Sequence, residues 1–406
     1  MSESHAAFDS RATSSDRTPS AWWIDGAGPL SSAAIFWLGC ALLLMTIGLV
    51  TVYSASFYRA LVTNKGEFFF LQQQALGAGL GLVAMLVATR VEPRRWIESA
   101  PLLYGGTIFA LLLVWSPLGR DSGGADRWIN LGVTSFQSSE LAKLAIPLVM
   151  IWYLRRYGDL GGEQSRLKMH INLLLIGSIL LPVSLVLLQP DLGTAAFLLA
   201  VGALLILCAG VPVRYSLGLG ALVSPLLIWQ VVERWNVIVH RFQAVIEPEK
   251  VEQVSHALTA IRAGGLEGAG VGRGTEKTLY LYAEFSDFIF AVFAEETGLI
   301  GVACLLLLYV GMLLSGWKIF RRCPDFTLRL LAGAIICNII VQALINLAVN
   351  TALAPTKGIA LPMISHGSSG LTMTLLQVGI LIAIARVSER EIAEIERTVE
   401  TTKGAG

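Results

Sequence analysis

The sequence predicts an all-α polytopic membrane protein with about ten transmembrane helices, one large extracytoplasmic loop and a re-entrant segment. Of its 406 residues, 54% are hydrophobic and only 15% are charged, whereas soluble domains carry roughly a quarter charged residues. Apolar runs close to the ~20 residues that cross a bilayer recur along the whole chain. The net charge of +1 disfavours nucleic acid as a partner.

Ten apolar segments are predicted to span the membrane. They are 32–54, 70–89, 100–118, 138–154, 171–188, 192–211, 216–232, 288–315, 328–350 and 368–387. Residues 1–31 are polar and rich in Ser and Ala, which predicts a disordered cytoplasmic tail. The membrane domain then covers 32–390, and 391–406 form a cytoplasmic C-terminal tail. Gln189-Pro190-Asp191 predicts a tight turn that ends one helix and caps the next.

Lys and Arg residues in the short loops indicate the orientation, because cytoplasmic loops carry the excess. One side holds most of them: Arg90, Arg94, Arg95, Arg155, Arg156, Arg166, Lys168, Arg214, Lys318, Arg321, Arg322, Arg329, Arg386, Arg390, Arg397 and Lys403. The short loops opposite offer only Arg59, Lys65, Arg120, Arg127 and Lys357. Both termini are therefore predicted to be cytoplasmic, with segments 119–136, 233–286 and 351–367 together on the outer face.

Segment 351–367 is predicted to fold back against the helix bundle as the re-entrant element. It contains Pro355, Gly358, Pro362 and Gly367, which make it too broken for a helix, yet it is too apolar for a free loop. Irregular backbone at membrane depth is tolerated only where protein or a wet cavity satisfies its polar groups. Such a segment therefore belongs at the wall of a cavity.

Asp287 is the most informative single residue. It stands between a polar loop of about fifty residues and the apolar run 288–294. A carboxylate at the mouth of a membrane helix is costly to desolvate, and without a partner or water it tends to take up a proton. That position makes it a candidate proton acceptor. The alternative, at about even odds on local sequence alone, is that Ser286 or Asp287 simply caps the following helix.

Other polar residues inside spans have two interpretations each. Glu140 and Lys143 share a helix face, either as an ion pair that lowers the insertion cost or facing a cavity, with Lys143 available to an anionic ligand. We favour the cavity. A stripe of amides at successive i+4 positions forms either interhelical hydrogen bonds or a polar cavity wall, and taken together the four favour the wall. The stripe comprises Asn338, Gln342, Asn346 and Asn350.

The glycine-rich run 264–274 is predicted to be a flexible loop, with Arg273 and Lys277 as candidate phosphate contacts. The adjacent carboxylates of Glu295 and Glu296 lie deep in the eighth span and need a wet cavity, a cation or helix–helix partners. The sequence contains no ligand spacing typical of a structural metal site, so no cofactor is demanded. A divalent cation, Mg²⁺ or Mn²⁺, could still assist catalysis.

Four ordered motifs resemble those of the FtsW/RodA family, the SEDS peptidoglycan glycosyltransferases, over roughly 32–390. They are Gly124-Ala125-Asp126-Arg127-Trp128-Ile129-Asn130-Leu131-Gly132 running into Phe136-Gln137-Ser138-Ser139-Glu140-Leu141-Ala142-Lys143, then Gln189-Pro190-Asp191-Leu192-Gly193-Thr194, then Ser286-Asp287-Phe288-Ile289-Phe290-Ala291-Val292 with Glu295-Glu296, and finally Asn350-Thr351-Ala352-Leu353-Ala354-Pro355-Thr356-Lys357-Gly358. The Pro-Thr-Lys-Gly at 355–358 is more similar to the division branch, FtsW, than to the elongation branch, RodA.

The resemblance implies an enzyme that polymerises lipid II into β-1,4 glycan strands on the outer leaflet during septal cell-wall synthesis. It implies Asp287 as the catalytic aspartate. The implied substrate-binding residues are Arg127, Trp128, Glu140, Lys143, Lys277 and Lys357. Lipid II, the lipid-linked glycan chain, a class B penicillin-binding protein and divisome components are the implied partners. The implied location is the bacterial inner membrane, with the active site facing the periplasm.

The sequence also departs from the family pattern. Residues 282–286 read Tyr-Ala-Glu-Phe-Ser where the family usually has Pro-Glu-x-His-Thr. Two alternatives therefore stay open beside the glycosyltransferase. One is a lipid II flippase, which would need the same polar cavity, although matched inverted repeats are not evident. The other is a non-catalytic scaffold for a penicillin-binding protein.

Overall fold

The computed structural model describes residues 30–404 except 65, 122–125, 131–134, 158–168, 209–212, 234, 276–286 and 357. Within these residues the helices are α1 Ser32–Val62, α2 Phe69–Ala88, α3 Pro93–Glu98, α4 Ala100–Leu113, α5 Ser138–Tyr157, α6 Met169–Leu188, α7 Leu192–Cys208, α8 Val213–Glu233, α9 Trp235–Ile246, α10 Glu252–Ala263, α11 Ile289–Arg322, α12 Phe326–Asn350 and α13 Ser368–Gly404. Three short strands, β1 Gly119–Asp121, β2 Asp126–Asn130 and β3 Ser135–Gln137, complete the description.

Each of the ten predicted spans overlaps one long helix, so the prediction of a polytopic helical membrane protein is confirmed. Five helices, α1, α2, α11, α12 and α13, are long and apolar enough to cross a bilayer by length and composition. Helices α4, α6 and α7 are shorter apolar helices. Helix α5 carries four charged residues, two in its first turns and two in its last turn. Helix α13 continues past residue 390 to Gly404.

The turn predicted between the fifth and sixth spans is confirmed. Helix α6 ends at Leu188 and α7 begins at Leu192. Asp191 caps α7, because its carboxylate accepts from the Thr194 backbone N–H at 3.1 Å and from the Thr194 hydroxyl at 2.9 Å. A side-chain acceptor at this position satisfies one of the donors that the first helical turn leaves open.

The segment 233–286 is more structured than the polar loop that the sequence predicts. Helices α9 and α10 occupy much of its described part, joined by a short 3₁₀ turn at Pro248–Lys250. The segment 119–136 likewise contains the antiparallel sheet β1-β2-β3, in which Trp128 pairs with Gln137. Strand β3 leads directly into α5, so the sheet sets where the first turns of α5 begin.

The described residues of segment 351–367 fold back into the bundle without helical structure, as predicted. Its central residues are buried, among them Leu361 and Ile364 at 1% and 0% exposure. It reaches the middle of α1, since a Cβ built on Gly48 would lie 2.1 Å from the Met363 carbonyl oxygen. On α11, the Tyr309 hydroxyl donates to the Pro362 carbonyl at 2.6 Å. The surrounding helices therefore satisfy its irregular backbone, as membrane depth requires.

The glycine-rich run contacts α11, although seven of its eleven residues are exposed, and the prediction that it is a flexible loop stays a prediction. Helix α11 breaks at Gly298, where φ is +64°. The run supplies the hydrogen bonds that the break removes: the Ala269 and Gly270 N–H groups donate to the carbonyls of residues 295 and 296, and the N–H groups of residues 299 and 300 donate to the carbonyls of Gly265 and Leu266. The close approach needs glycine, because a Cβ on Gly268 would lie 2.3 Å from the carbonyl oxygen of residue 296.

The carboxylates of Glu295 and Glu296 have partners on neighbouring elements, as the sequence requires. The hydroxyl of Ser54 on α1 donates to Glu296 at 2.5 Å. The backbone N–H and hydroxyl of Thr275 donate to Glu295 at 2.6 and 3.0 Å. The Ser54 contact joins α1 to α11, and the Thr275 contacts fasten the residue after the glycine-rich run to α11.

The opposite end of the bundle holds a cluster of charges. Arg94 bonds with Asp325 at 2.8 Å, with Glu92 at 3.2 Å and with Glu391. Burial alone would raise the pKa of Asp325, but the hydrogen bond from Thr327 and the Arg94 guanidinium hold that pKa below its ordinary value of 3.8. The cluster connects the start of α3 and the residue before it with the N-cap of α12 and the C-terminal half of α13.

Candidate active site

Asp287 lies at the entrance to α11 and is half-buried. The N-cap residue of this helix is Phe288, whose side chain makes no capping hydrogen bond. Asp287 is therefore not the N-cap residue, and Ser286, the other candidate for the cap, lies outside the described residues. The Asp287 backbone carbonyl accepts from Asn346 at 3.0 Å and from Asn350 at 2.9 Å. Its carboxylate faces the re-entrant segment, where a Cβ built on Gly358 would lie 3.5 Å from Oδ2.

Arg127 faces the same gap from strand β2. A Cβ on Gly358 would lie 3.8 Å from a guanidinium nitrogen of Arg127. The same nitrogen forms an ion pair with Asp191 at 3.5 Å, so the residue that caps α7 also orients this arginine. The Arg127 Nε is buried and has no hydrogen-bond partner among the described residues. A glycine at 358 keeps open the space between the carboxylate and the guanidinium.

Lys143 and Glu140 form the ion pair that their spacing predicts, and both also line the cavity. The Lys143 ammonium donates to Glu140 at 2.6 Å and to Gln342 on α12 at 2.8 Å. It also lies 5.6 Å from the centre of the Phe197 ring on α7. Both charged side chains are less than 10% exposed. The pair is thus formed and also lines the cavity, while the availability of Lys143 to an anionic ligand stays a prediction.

One cavity of about 780 Å³ joins these groups. The three segments predicted to lie on one face meet there: strand β2 contributes Arg127 and Trp128, the 3₁₀ turn and α10 contribute Lys250 and Glu252, and the re-entrant segment contributes its residues 358–363. Further lining residues are Gln137, Glu140, Lys143, Thr194, Phe197, Arg241, Asp287, Gln342, His366 and Ser369. Basic and acidic side chains thus both line a polar cavity at the end of the bundle that carries Asp287.

The amide stripe of α12 is only partly a cavity wall. Gln342 lines the cavity, while Asn338, Asn346 and Asn350 do not. These three are at most 2% exposed, and their amides donate to backbone carbonyls of other elements. The prediction that the whole stripe forms the wall is therefore wrong, because three of its members are used up in holding neighbouring backbone.

Sequence reasoning missed Arg241 and Lys250, which bring two more cations to the cavity. Both lie in the segment 233–286, and the only signal was the run of basic and aromatic residues at its start. Two predicted substrate contacts, Lys277 and Lys357, lie outside the described residues. Among the described residues, no three His, Cys, Asp or Glu side chains come together in a way that could hold a metal ion.

These features define a class: a polytopic helical membrane protein whose charged cavity is closed on one side by a re-entrant segment. The sequence profile of the FtsW/RodA/SpoVE family, described as "Cell cycle protein", matches residues 34–390. The chain belongs to this family.

Curated relatives match over almost the same range. A probable peptidoglycan glycosyltransferase FtsW from Geobacter sp. (strain M18) is 35% identical over 356 residues, which cover 85% of this chain and 94% of the relative. The stage V sporulation protein E of Bacillus subtilis is 34% identical and covers 86% of this chain and 95% of its own.

Solved structures share the fold. A chain of a peptidoglycan synthase complex, described as coordinating polymerization and crosslinking, superposes with a TM-score of 0.67 at 27% identity, covering 87% of this chain and 97% of its own. The rod shape determining protein RodA of Thermus thermophilus superposes with a TM-score of 0.62 at 28% identity, covering 86% and 95%.

Proposed function

We propose that this protein is a peptidoglycan glycosyltransferase that polymerises lipid II into β-1,4 glycan strands during septal cell-wall synthesis. The observation that carries the proposal is the placement of Asp287: a carboxylate faces a basic guanidinium across an open gap inside a polar cavity, at the end of membrane-spanning helices. The relatives named as glycosyltransferases and the cell-cycle description of the family support the same conclusion.

Asp287 acts as the general base. Its carboxylate takes the proton of the acceptor 4-hydroxyl as that oxygen forms a bond to the anomeric carbon of the donor sugar. The bond between this carbon and the diphosphate oxygen breaks, and the lipid diphosphate leaves with the electron pair. Attack opposite the leaving group converts an α-linked diphosphate into a β-1,4 glycosidic bond. A positioned base contributes about 10²–10⁴-fold to such a step.

The cations of the cavity bind the diphosphates. Arg127 is best placed, because its buried Nε is an unused donor among the described residues and its guanidinium faces Asp287 across Gly358. Guanidinium groups bind phosphate oxygens in two-point contacts. Lys143, which Glu140 and Gln342 hold at the cavity wall, is a second proposed contact to the diphosphates. Lys277 and Lys357 remain proposed contacts, and Trp128 presents a ring to the sugars.

The proposed location is the bacterial inner membrane, with both termini cytoplasmic and the cavity open to the periplasm. The excess of Lys and Arg in the loops at the other end of the bundle supports this orientation. A membrane-impermeant thiol reagent tests it in a background lacking the native cysteines. A cysteine replacing exposed Glu249 should react in cells with a permeable outer envelope, and one replacing exposed Arg397 should not.

The proposed partner is a class B penicillin-binding protein that crosslinks the new strands, together with the division machinery. The solved complex described as coordinating polymerization and crosslinking supports this assignment. Co-purification from membranes of a tagged chain with a transpeptidase is the direct check. If the folded tagged chain is purified without a transpeptidase, the assignment of this partner is wrong.

Polymerisation of fluorescent lipid II in proteoliposomes tests the function. The wild-type chain and Glu249→Gln, which changes an exposed carboxylate outside the cavity, should form long glycan strands, while Asp287→Asn should not. A folded wild-type chain that moves lipid II between leaflets without polymerising it would favour the flippase. Retained transpeptidase binding with no turnover would favour the scaffold.

A further inference from the structure

We propose that Asn346 and Asn350 are positioning residues that set the place of the Asp287 carboxylate in the cavity. This inference rests on the proposed function, since it concerns how the general base is held. It starts from the amide stripe of α12, whose chemical use the sequence left open between hydrogen bonding and lining a cavity.

The two amides converge on one carbonyl oxygen. The Nδ2 atoms of Asn346 and Asn350 lie 3.0 and 2.9 Å from the backbone oxygen of Asp287. A carbonyl oxygen has two lone pairs, so these donors saturate it. The residues are one helical turn apart and therefore share a face of α12. Both asparagines are almost fully buried, at 1% and 0% exposure.

Asn346 also connects Asp287 to the opposite wall of the gap. Its Nδ2 donates to the Ile359 carbonyl at 2.8 Å, next to Gly358, whose Cα faces both the Asp287 carboxylate and Arg127. One buried amide therefore holds the backbone on both sides of the space where the acceptor hydroxyl must lie. Asn350 supports it, because its Nδ2 reaches the Asn346 carbonyl at 3.0 Å and the Asn346 Oδ1 at 3.2 Å.

This anchor matters because Asp287 lies outside the regular hydrogen bonding of α11. The residue precedes the N-cap of that helix, Phe288. Without the amides, two buried carbonyls lose donors and the turn can shift. A displacement of the base of about 1 Å costs on the order of 10²-fold in rate, while binding of substrate elsewhere in the cavity is unaffected. The expected signature is therefore a loss in kcat with KM unchanged.

The chain offers a matched control on the same stripe. Asn338 is 2% exposed and also makes two hydrogen bonds, to the Lys143 carbonyl at 2.7 Å and to Gln377 at 3.2 Å, but none to Asp287. Asn338→Ala removes a comparable amount of buried hydrogen bonding from the same helix. Any loss that reflects general destabilisation of α12 should therefore be the same in both variants.

The experiment measures kcat and KM for lipid II polymerisation in proteoliposomes. We expect Asn346→Ala to lower kcat about 30- to 100-fold and Asn350→Ala about 5-fold, both with KM within about 2-fold. Asn338→Ala should lower kcat by less than about 3-fold. Asn350→Ala leaves Asn346 with its bonds to Asp287 and Ile359, so it keeps the comparison usable if Asn346→Ala does not fold.

The same asparagine variants in an Asp287→Glu chain separate a positioning role from a purely structural one. In Asp287→Glu the carboxylate is already displaced, so adding Asn346→Ala, or Asn350→Ala where the first does not fold, should cost less than about 3-fold more. Losses no larger than that of Asn338→Ala, or losses equally large in both backgrounds, would overturn the positioning role. If Asp287→Asn polymerises at the wild-type rate, Asp287 is not the general base. If the folded wild-type chain does not polymerise lipid II, the proposed function itself fails, whatever the asparagine variants do.

Discussion

The buried ion pair of α5, Glu140 with Lys143, predicts how its single and double variants differ in free energy of unfolding. In Glu140→Gln the Lys143 ammonium keeps Gln342 at 2.8 Å and the Phe197 ring at 5.6 Å, but loses the charge at 2.6 Å that balances it. Removing one partner of a buried pair costs about 3–5 kcal/mol. Because the pair lines an open cavity, we expect the lower end, about 3 kcal/mol of the free energy of unfolding.

Two further variants test whether the unbalanced Lys143 charge causes the loss of stability. Glu140→Gln combined with Lys143→Met removes both charges, so it should recover most of the lost free energy, since replacing a whole buried pair is often neutral. Glu394→Gln, which disrupts an exposed pair with Arg390, should have no measurable effect. Unfolding by SDS in mixed micelles gives these free energies. The reasoning is refuted if the single variant matches the wild type, or if the double variant is as unstable as the single one.

Three further predictions concern other parts of the chain. Gly298→Ala should cost about 3 kcal/mol of stability, because φ is +64° and the added Cβ would lie 2.4 Å from the Gly268 nitrogen. Gly79→Ala should not destabilise the protein, because a Cβ there meets no atom within 4 Å. Thermal unfolding in detergent measures both. Asp191→Ala should lose about 1 kcal/mol of stability because it removes the cap of α7, and Asp191→Asn should keep that stability because an amide oxygen also caps a helix. Both variants should raise KM for lipid II, because Arg127 loses its ion pair. The folded-state pKa of Asp325 is lowered, so the stability that its carboxylate contributes is complete above pH 3.8 and disappears as pH falls further. The melting temperature of Asp325→Asn should therefore fall less steeply than that of the wild type when the solution is acidified. An equally steep fall would contradict this.

The spans could be predicted because each is a local property of the sequence. A run of apolar residues near 20 in length has few alternatives, and Gln189-Pro190-Asp191 carries its turn and cap chemistry within three residues. The re-entrant segment was predictable for the same reason, because its prolines and glycines conflict with its apolar character.

The remaining features depend on contacts between distant residues. Strands β1 to β3 have three to five residues, too few for an alternating pattern, and exist only through their pairing. The partners of Asn346 and Asn350 are backbone carbonyls, which carry no side-chain signal in the sequence. The contacts of the glycine-rich run could not be predicted, because its role, completing the hydrogen bonds of α11 at Gly298, involves an element some thirty residues further along.

Arg241 is a residue of the candidate site that could not be predicted for the same reason. It lies on α9, a helix that the sequence left inside a polar loop, and only the folded arrangement brings it to the cavity that holds Asp287. By contrast, Arg127, Trp128, Glu140 and Lys143 were predicted through motif resemblance, and the structure places all four at that cavity. Their roles in substrate binding stay predictions.

The rate of lipid II polymerisation by Asp287→Asn in proteoliposomes tests the central claim most directly. The substitution removes the charge of the proposed base while keeping its size, and the backbone carbonyl that Asn346 and Asn350 hold is unchanged. The account predicts a loss of about 10²–10⁴-fold in kcat, from a variant whose thermal stability and lipid II binding match the wild type. Wild-type polymerisation by that folded variant would contradict it.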